Sequence, residues 1–276
     1  MKTLKLAARR HPIVMFLCVT FSFSWGFAGV LYGVTGNDVI FIVGAPFAWG
    51  PLVGGTVTVW LLDESVRSWI GQIRNWRVGG VWYGIGIGML VLRTDFNGIT
   101  AFLIGVEVTL ETSGWMLYTA LFNFFVTLIL AGALEEFGWR GFVQARLQQH
   151  YNAALVTVFI GVVWAVWHVP LILLGLGNFT TPFNYGLILI GTSVFYGWLY
   201  NETDGALFVV MIAHATGNMP VFIRVTGETP HLLESLPITP TVPLLCGSFG
   251  LSHLSTHSSY APCRKSLRRA VLGYRH

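Results

Sequence analysis

The chain has 276 residues, 54% of them hydrophobic and only 10% charged, with 32 glycines and a net charge of +4, whereas an average soluble domain is about 25% charged. That composition excludes an ordinary soluble domain and describes a polytopic membrane protein. The positive charge sits mainly at the two ends and forms no basic stripe with interleaved aromatics, which excludes nucleic acid as a partner.

Apolar stretches near the 20 or so residues that cross a bilayer core fall at roughly 12–33, 39–62, 80–106, 114–134, 153–175, 184–200 and 205–226. The fold expected is all-α, a membrane bundle of about seven to eight transmembrane helices. Lys2, Lys5, Arg9 and Arg10 precede the first stretch and give it the look of a signal peptide. The run from His11 to Gly33 exceeds a cleavable core of about 7–15 residues and ends at no small-residue cleavage site, so it is expected to remain as the first span. Arg67, Arg74 and Arg77 follow the second stretch and Arg140 and Arg146 the fourth, while the loops after the first and fifth carry no Lys or Arg. The positive-inside rule then puts the N-terminus in the cytoplasm of a multi-pass protein of the cell membrane.

Between the second and third stretches, Trp69, Ile73 and Trp76 lie at helical spacing among arginines, which fits either an interfacial helix or a solvated basic loop with anchoring tryptophans. Arg93 and Asp95 interrupt the third stretch, making it two shorter pieces or one span with a polar break. Residues 1–235 are read as one membrane-embedded domain. From 236 to 276 the composition changes to early prolines, then to Ser, His and basic residues, as in a poor eighth span from Leu236 to Leu254, an atypical outside tail, or an altered reading frame. His253, His257 and His276 read as solvated side chains, and the Asn178-Phe179-Thr180 sequon carries no assignment. Cys18, Cys246 and Cys263 have no metal-ligand spacing and give no disulfide framework.

Against this apolar background the ionisable residues stand out, because the bilayer offers no water to solvate them. Glu135 and Glu136 are read at the cytoplasmic edge of the fourth stretch, in AGALEEFGWRG. Positions four apart share a helix face, so Glu136 can pair with Arg140 while Glu135 points about 100° away. Ala131 lies behind Glu135 on its face and Gly132 on a neighbouring one, small residues that admit a second helix. In WAVWHVP, Trp164 and His168 share a face and Pro170 frees backbone groups beside the histidine; in HATGN, His214 and Asn218 share a face. Amide hydrolysis needs an activated water, a proton for the leaving amine and a cradle for the oxyanion. Glu135 with His168 can orient and deprotonate water, and His214 with Asn218 can bond the developing charge, with Glu136, Arg140 and Trp164 in support. The bland readings are a structural Glu136–Arg140 pair, two hydrogen-bonded core histidines, and Trp139, Trp164 and Trp167 as belt or packing aromatics.

The same residues carry a family resemblance. EEFGWRG resembles the EExxxR motif, WAVWH the aromatic-xxx-His motif and HATGN the HxxxN motif of the CPBP (CAAX protease and bacteriocin-processing, or Abi) intramembrane peptidases. PLVGG and LYNETDGAL extend the resemblance over roughly residues 10–226. It implies about eight spans around a water-filled interior polar cavity open to the cytoplasm, and a metal-independent glutamate mechanism. In that mechanism Glu135 and His168 activate water, His214 and Asn218 form the oxyanion hole, and Glu136 and Arg140 support them. Relatives of the Ras-converting CAAX endopeptidase remove a C-terminal tripeptide from prenylated proteins, so the implied partner is a prenylated protein or another peptide precursor. The chain departs from the family in a Trp where the second motif often has Phe, and in its tail. Two alternatives stay open: catalytic zinc on Glu135, His168 and His214, though no HExxH helix is present, and a non-catalytic immunity, scaffolding or proton-coupled transport protein.

Overall fold

A computed structural model describes residues 1–36, 45–174 and 182–227. The tail with its eighth-span candidate, its histidines, Cys246 and Cys263, the sequon and the start of the second stretch lie outside the described residues.

The described chain is a helical membrane bundle. Helix α1 (Lys2–Arg10) is followed at His11 by α2 (Pro12–Thr35), whose leading proline suits a first helical turn because its missing N–H has no partner to lose. Then come α3 (Gly50–Leu61), α4 (Gly80–Thr94), α5 (Gly114–Leu130), α6 (Ala153–Trp167), α7 (Pro182–Glu202) and α8 (Leu207–Gly217). Among the described residues three helical runs, Pro12–Thr35, Gly114–Leu147 and Ala153–Leu173, are long and apolar enough to cross a membrane, and Leu207–Gly217 is a shorter apolar helix. The only sheet among those residues is antiparallel, pairing Val108–Leu110 with Ile223–Val225.

Small residues set the helix approaches. Along α2 the buried positions are Phe16, Thr20, Ser24 and Ala28, one every four residues. Gly50 and Gly54 of α3 face that stripe: a Cβ would stand 2.9 Å from the Thr20 carbonyl oxygen at Gly50, and 2.9 Å from that of Phe16 at Gly54. Only glycine lets the two backbones lie so close, and backbone proximity replaces the hydrophobic effect as the source of helix association in lipid. The Ser24 hydroxyl, fully buried, donates to the Phe47 carbonyl at 2.7 Å.

The third apolar stretch is two pieces. Helix α4 stops at Thr94, a second helix spans Phe96–Leu103, and Asp95 at the junction is buried. One of its carboxylate oxygens accepts the backbone N–H groups of Phe222 (2.6 Å) and Ile223 (2.7 Å), pinning the sheet over the break. The basic segment after α3 forms a short helix, Val66–Ile70, and a 3₁₀ turn, Gly71–Arg74. Trp76 is exposed, but Trp69 packs edge-on against Phe137 (5.8 Å between ring centres) and donates to the Gly141 carbonyl at 3.1 Å. Val66 and Ile73 also pack against the core, so the segment is docked onto the bundle rather than only lying in an interface.

Charged contacts gather one end of the bundle. Asp63 pairs with Lys5 and with Arg9 (2.8 Å), and Glu64 with Arg146 (2.5 Å). The N-terminal helix, the loop after α3 and the end of the Gly114–Leu147 run therefore meet at one face.

The helical run that carries Glu135 and Glu136 extends past the apolar stretch ending at 134: it continues to Leu147, about 18 Å beyond Glu135 at 1.5 Å per residue. Hydropathy falls at the two acids and Arg140, but the Glu136–Arg140 contact offsets their charges and Trp139, Phe142 and Val143 beyond them are buried. The run is irregular where the chemistry-bearing residues lie. It breaks at Ala131 (φ −134°, ψ −127°), passes a 3₁₀ turn at Gly132–Leu134 and one α turn at Glu135–Gly138, and widens into a π turn at Trp139–Gln144, a distortion frequent at functional sites.

Candidate active site

The two adjacent acids face different chemistry. Glu135 is buried and places Oε2 against two indole donors, Trp164 Nε1 at 2.7 Å from α6 and Trp139 Nε1 at 3.3 Å from its own run. Among the described residues Oε1 accepts no hydrogen bond from protein. Trp139 is one helical turn beyond Glu135, so the spacing that pairs Glu136 with Arg140 also brings this indole back to the carboxylate.

Glu136, fully buried, meets two basic side chains. Its Oε1 is 2.6 Å from His214 Nδ1 on α8, and its Oε2 is 2.9 Å from an Arg140 guanidinium nitrogen. The second is a charge contact without the alignment of a hydrogen bond, since neither atom counts as hydrogen-bonded. Arg140, also fully buried, donates to the Ser193 hydroxyl at 3.0 Å and carbonyl at 3.2 Å on α7. Its guanidinium lies over the rings of Tyr196 (5.2 Å) and Trp164 (5.7 Å). A buried cation needs a counter-charge, and this one draws its contacts from three helical runs, although its Nε and Nη1 have no hydrogen-bond partner among the described residues.

Both histidines have Nδ1 engaged. His168 directs it at the Trp164 carbonyl, 2.8 Å away; a carbonyl only accepts, so Nδ1 carries the proton and the neutral ring keeps its lone pair on Nε2. His168 terminates α6, and the helix resumes at Val169 with Pro170 in its first turn. The ring packs against Trp167 (4.8 Å), Tyr185 (5.5 Å) and Trp164 (5.7 Å). His214 is stacked on Tyr196 (5.5 Å, 27°) and stands edge-on to Trp164 (5.6 Å). Its Nε2 lies over Gly132, where a Cβ would be only 2.6 Å away. Donating Nδ1–H to Glu136, a neutral His214 offers a bare Nε2; it donates from Nε2 only as the imidazolium.

Asn218 is exposed at the end of α8, and its amide donates to the His214 backbone carbonyl at 3.1 Å. The structure therefore brings Glu135, Glu136, Arg140, Trp164 and His214 into one contact network, adds His168 through Trp164, and joins Asn218 through the backbone rather than the His214 ring.

Several residues here were not read from the sequence. Trp139, read only as a belt or packing aromatic, joins the supporting residue Trp164 as a hydrogen-bond donor to Glu135, whereas Trp167 packs on Phe47 (4.3 Å). The four-residue spacing from Glu135 to Trp139 was a usable signal. Ser193, Tyr196 and the Gly132–His214 approach join separate helices, which no local spacing encodes.

Among the described residues no three His, Cys, Asp or Glu side chains are grouped so as to hold a metal ion. Glu135, His168 and His214, the alternative zinc set, are accordingly not grouped as a metal site among those residues.

Comparison with known proteins agrees with the three motifs. Residues 117–220 match the family described as "Type II CAAX prenyl endopeptidase Rce1-like", a stretch that contains all three, so the resemblance holds where the site lies. The match is to a membrane protease family. The CAAX prenyl protease 2 of Methanococcus maripaludis is 26% identical over 116 residues, 39% of this chain and 43% of that protein. The chain thus matches less than half of that relative's length. No solved structure matches it.

Proposed function

We propose that the protein is a metal-independent intramembrane endopeptidase in which Glu135 is the general base. The observation that carries this reading is the contrast between the two acids: Glu135 is held by neutral indole donors, whereas its neighbour takes both basic partners. A carboxylate without a cationic partner keeps more of its basicity. One of its oxygens is used for positioning and the other is left for water.

In the proposed reaction, water lies between Glu135 Oε1 and His168 Nε2. Glu135 takes one proton as the oxygen forms a bond to the scissile carbonyl carbon, and the carbonyl electron pair moves onto its oxygen. His214, as an imidazolium balanced by Glu136, donates Nε2–H to that oxyanion; Asn218 fixes the helix end bearing His214 and offers its remaining amide hydrogen. When the intermediate collapses, the C–N bond breaks and the amine leaves with the proton held by Glu135. General base catalysis of this kind contributes about 10²–10⁴-fold.

The substrate class that fits is a protein or peptide reaching a site inside the bilayer, either a prenylated protein or another peptide precursor. The basic end is assigned to the cytoplasmic side of the cell membrane by the positive-inside rule. The test uses purified full-length protein in liposomes and an internally quenched peptide ending in a farnesylated cysteine followed by three residues. Glu135→Gln, which still accepts from both indoles, is expected to keep the wild-type unfolding temperature and lose cleavage by about 10²-fold or more. Cleavage by Glu135→Gln at the wild-type rate removes Glu135 as the base.

A further inference from the structure

Glu135 and His168, the two residues assigned to water, each follow a break in their own helix. In an α-helix every N–H reaches the carbonyl four residues back. Leu134 N–H instead goes to the Ala131 carbonyl at 3.0 Å, and Leu171 N–H to the His168 carbonyl at 3.0 Å. The carbonyls of Leu130 and Trp167 thereby lose their partners in the helical ladder. At membrane depth no water replaces such a bond, so a freed carbonyl must find another donor. Both find the same kind. Trp49 Nε1 donates to the Leu130 oxygen at 2.6 Å, and Trp25 Nε1 to the Trp167 oxygen at 3.1 Å.

The two donors belong to one piece of the fold. Trp25 lies on α2 and Trp49 ends the 3₁₀ turn Ala45–Trp49. The buried Ser24 hydroxyl, next to Trp25, ties that turn to α2 through the Phe47 carbonyl. Phe47 in turn packs on Trp167 at 4.3 Å and lies 6.4 Å from the His168 ring. Just beyond the turn, Pro51 meets the acid-bearing helical turn, where a Cβ at Gly138 would stand 2.5 Å from the Pro51 carbonyl oxygen. Both indoles are exposed on the outside of the bundle. A tryptophan there ordinarily spends its N–H on the membrane interface, whereas these two spend theirs on backbone.

We propose that Trp25 and Trp49 are positioning residues acting through His168 and Glu135: α2 and the Ala45–Trp49 turn brace both helix breaks and set the separation at which acid and imidazole share one water. This rests on the endopeptidase reading above. The bond to each freed carbonyl fixes the direction in which its chain restarts, and that direction decides where the side chain after the break points. Because the donors are joined, one break cannot shift without the other.

Trp25→Phe and Trp49→Phe keep a ring and remove the donor. With the quenched farnesylated peptide in liposomes, each is expected to lower kcat about 10-fold at unchanged KM. Trp60→Phe, at an exposed indole of α3 with no hydrogen bond among the described residues, should keep the wild-type rate. In the Glu135→Gln background, which has no base to place, Trp49→Phe should leave the residual cleavage as it is; a merely structural role would lower it again by the same factor. Wild-type kcat in either folded Phe variant, or an equal loss from Trp49→Phe with and without Glu135, overturns the brace and leaves the endopeptidase reading intact. If one variant does not fold the other decides, and if neither folds the indoles are structural and the assignment falls. Absence of cleavage by wild type overturns both readings.

Discussion

Gly132→Ala isolates the geometry of His214 with the addition of one methyl group. The new Cβ would stand 2.6 Å from Nε2, 3.2 Å from Cδ2 and 3.4 Å from Cε1, about 0.8 Å inside ordinary contact at the nitrogen. The ring has little room to retreat, since Tyr196 stacks on it, Trp164 stands against it and Nδ1 is tied to Glu136 at 2.6 Å. Overpacking of this size costs about 1–3 kcal/mol, and escape by breaking the charge-assisted bond to Glu136 costs about 1.5–3 kcal/mol. With roughly 2–4 °C per kcal/mol for a domain of this size, the unfolding temperature should drop by no more than about 12 °C. Activity should fall much further, because misplacing a reacting group by about 1 Å is worth about 10²-fold. The assay is cleavage of the quenched peptide beside thermal unfolding in detergent. Gly29→Ala, where a Cβ meets nothing within 4 Å, is the control. A Gly132→Ala protein with wild-type kcat and KM would refute the use of His214 Nε2 in the reaction.

Glu136→Ala leaves Arg140 buried without its counter-charge, a loss of about 3–5 kcal/mol, and should abolish a monodisperse peak in size-exclusion chromatography; a variant as stable as wild type contradicts the buried pairing. Asp63 is held below its ordinary value by hydrogen bonds from Lys5 and then Arg9. A depressed folded pKa gives a contribution present above the unfolded value of 3.8 and lost as pH falls through the folded one. Protection from hydrogen exchange over residues 2–10, taken relative to the intrinsic amide rate at each pH, should therefore be high near neutrality and fall well below that value; protection unchanged by acid would mean that Asp63 does not hold the first helix. Chelator treatment of active protein should leave cleavage unchanged, and a complete loss restored by zinc would reinstate the metal mechanism.

What the sequence made legible follows the reach of local spacing. Four-residue intervals placed Glu136 on Arg140, and hydropathy found the helical spans and the polar break at Asp95, because each is settled within one helix. The fourth apolar stretch ends at 134 because a hydropathy window scores Glu136 and Arg140 as two polar residues, while the folded run holds them as a buried pair and carries on as helix to Leu147. Trp139 was assigned to packing although its spacing from Glu135 was visible, because an aromatic in a membrane helix has a default role at the interface that its N–H did not share. Ser193 and Tyr196 had no signal at all, since their importance lies in which helix α7 meets. Asn218 kept its helix face, but its amide turned to the backbone, the choice that a terminal turn with an unpaired carbonyl makes available.

The adjacent acids also explain why one motif supplies both architecture and reactivity. Their faces differ by about 100°, so they meet different neighbours although they share a backbone turn. Glu136 meets Arg140 and His214, two groups that a neutral amide cannot balance, and replacing its charge removes the reason for both to be buried. Glu135 meets two indoles, which ask only for an acceptor oxygen, and Gln provides one. Loss of charge should therefore act on folding at the second acid and on chemistry at the first. The broken turn at Ala131–Leu134 lies between α5 and both acids, so the direction of the two carboxylates is set by the irregular run after the break rather than by the register of α5.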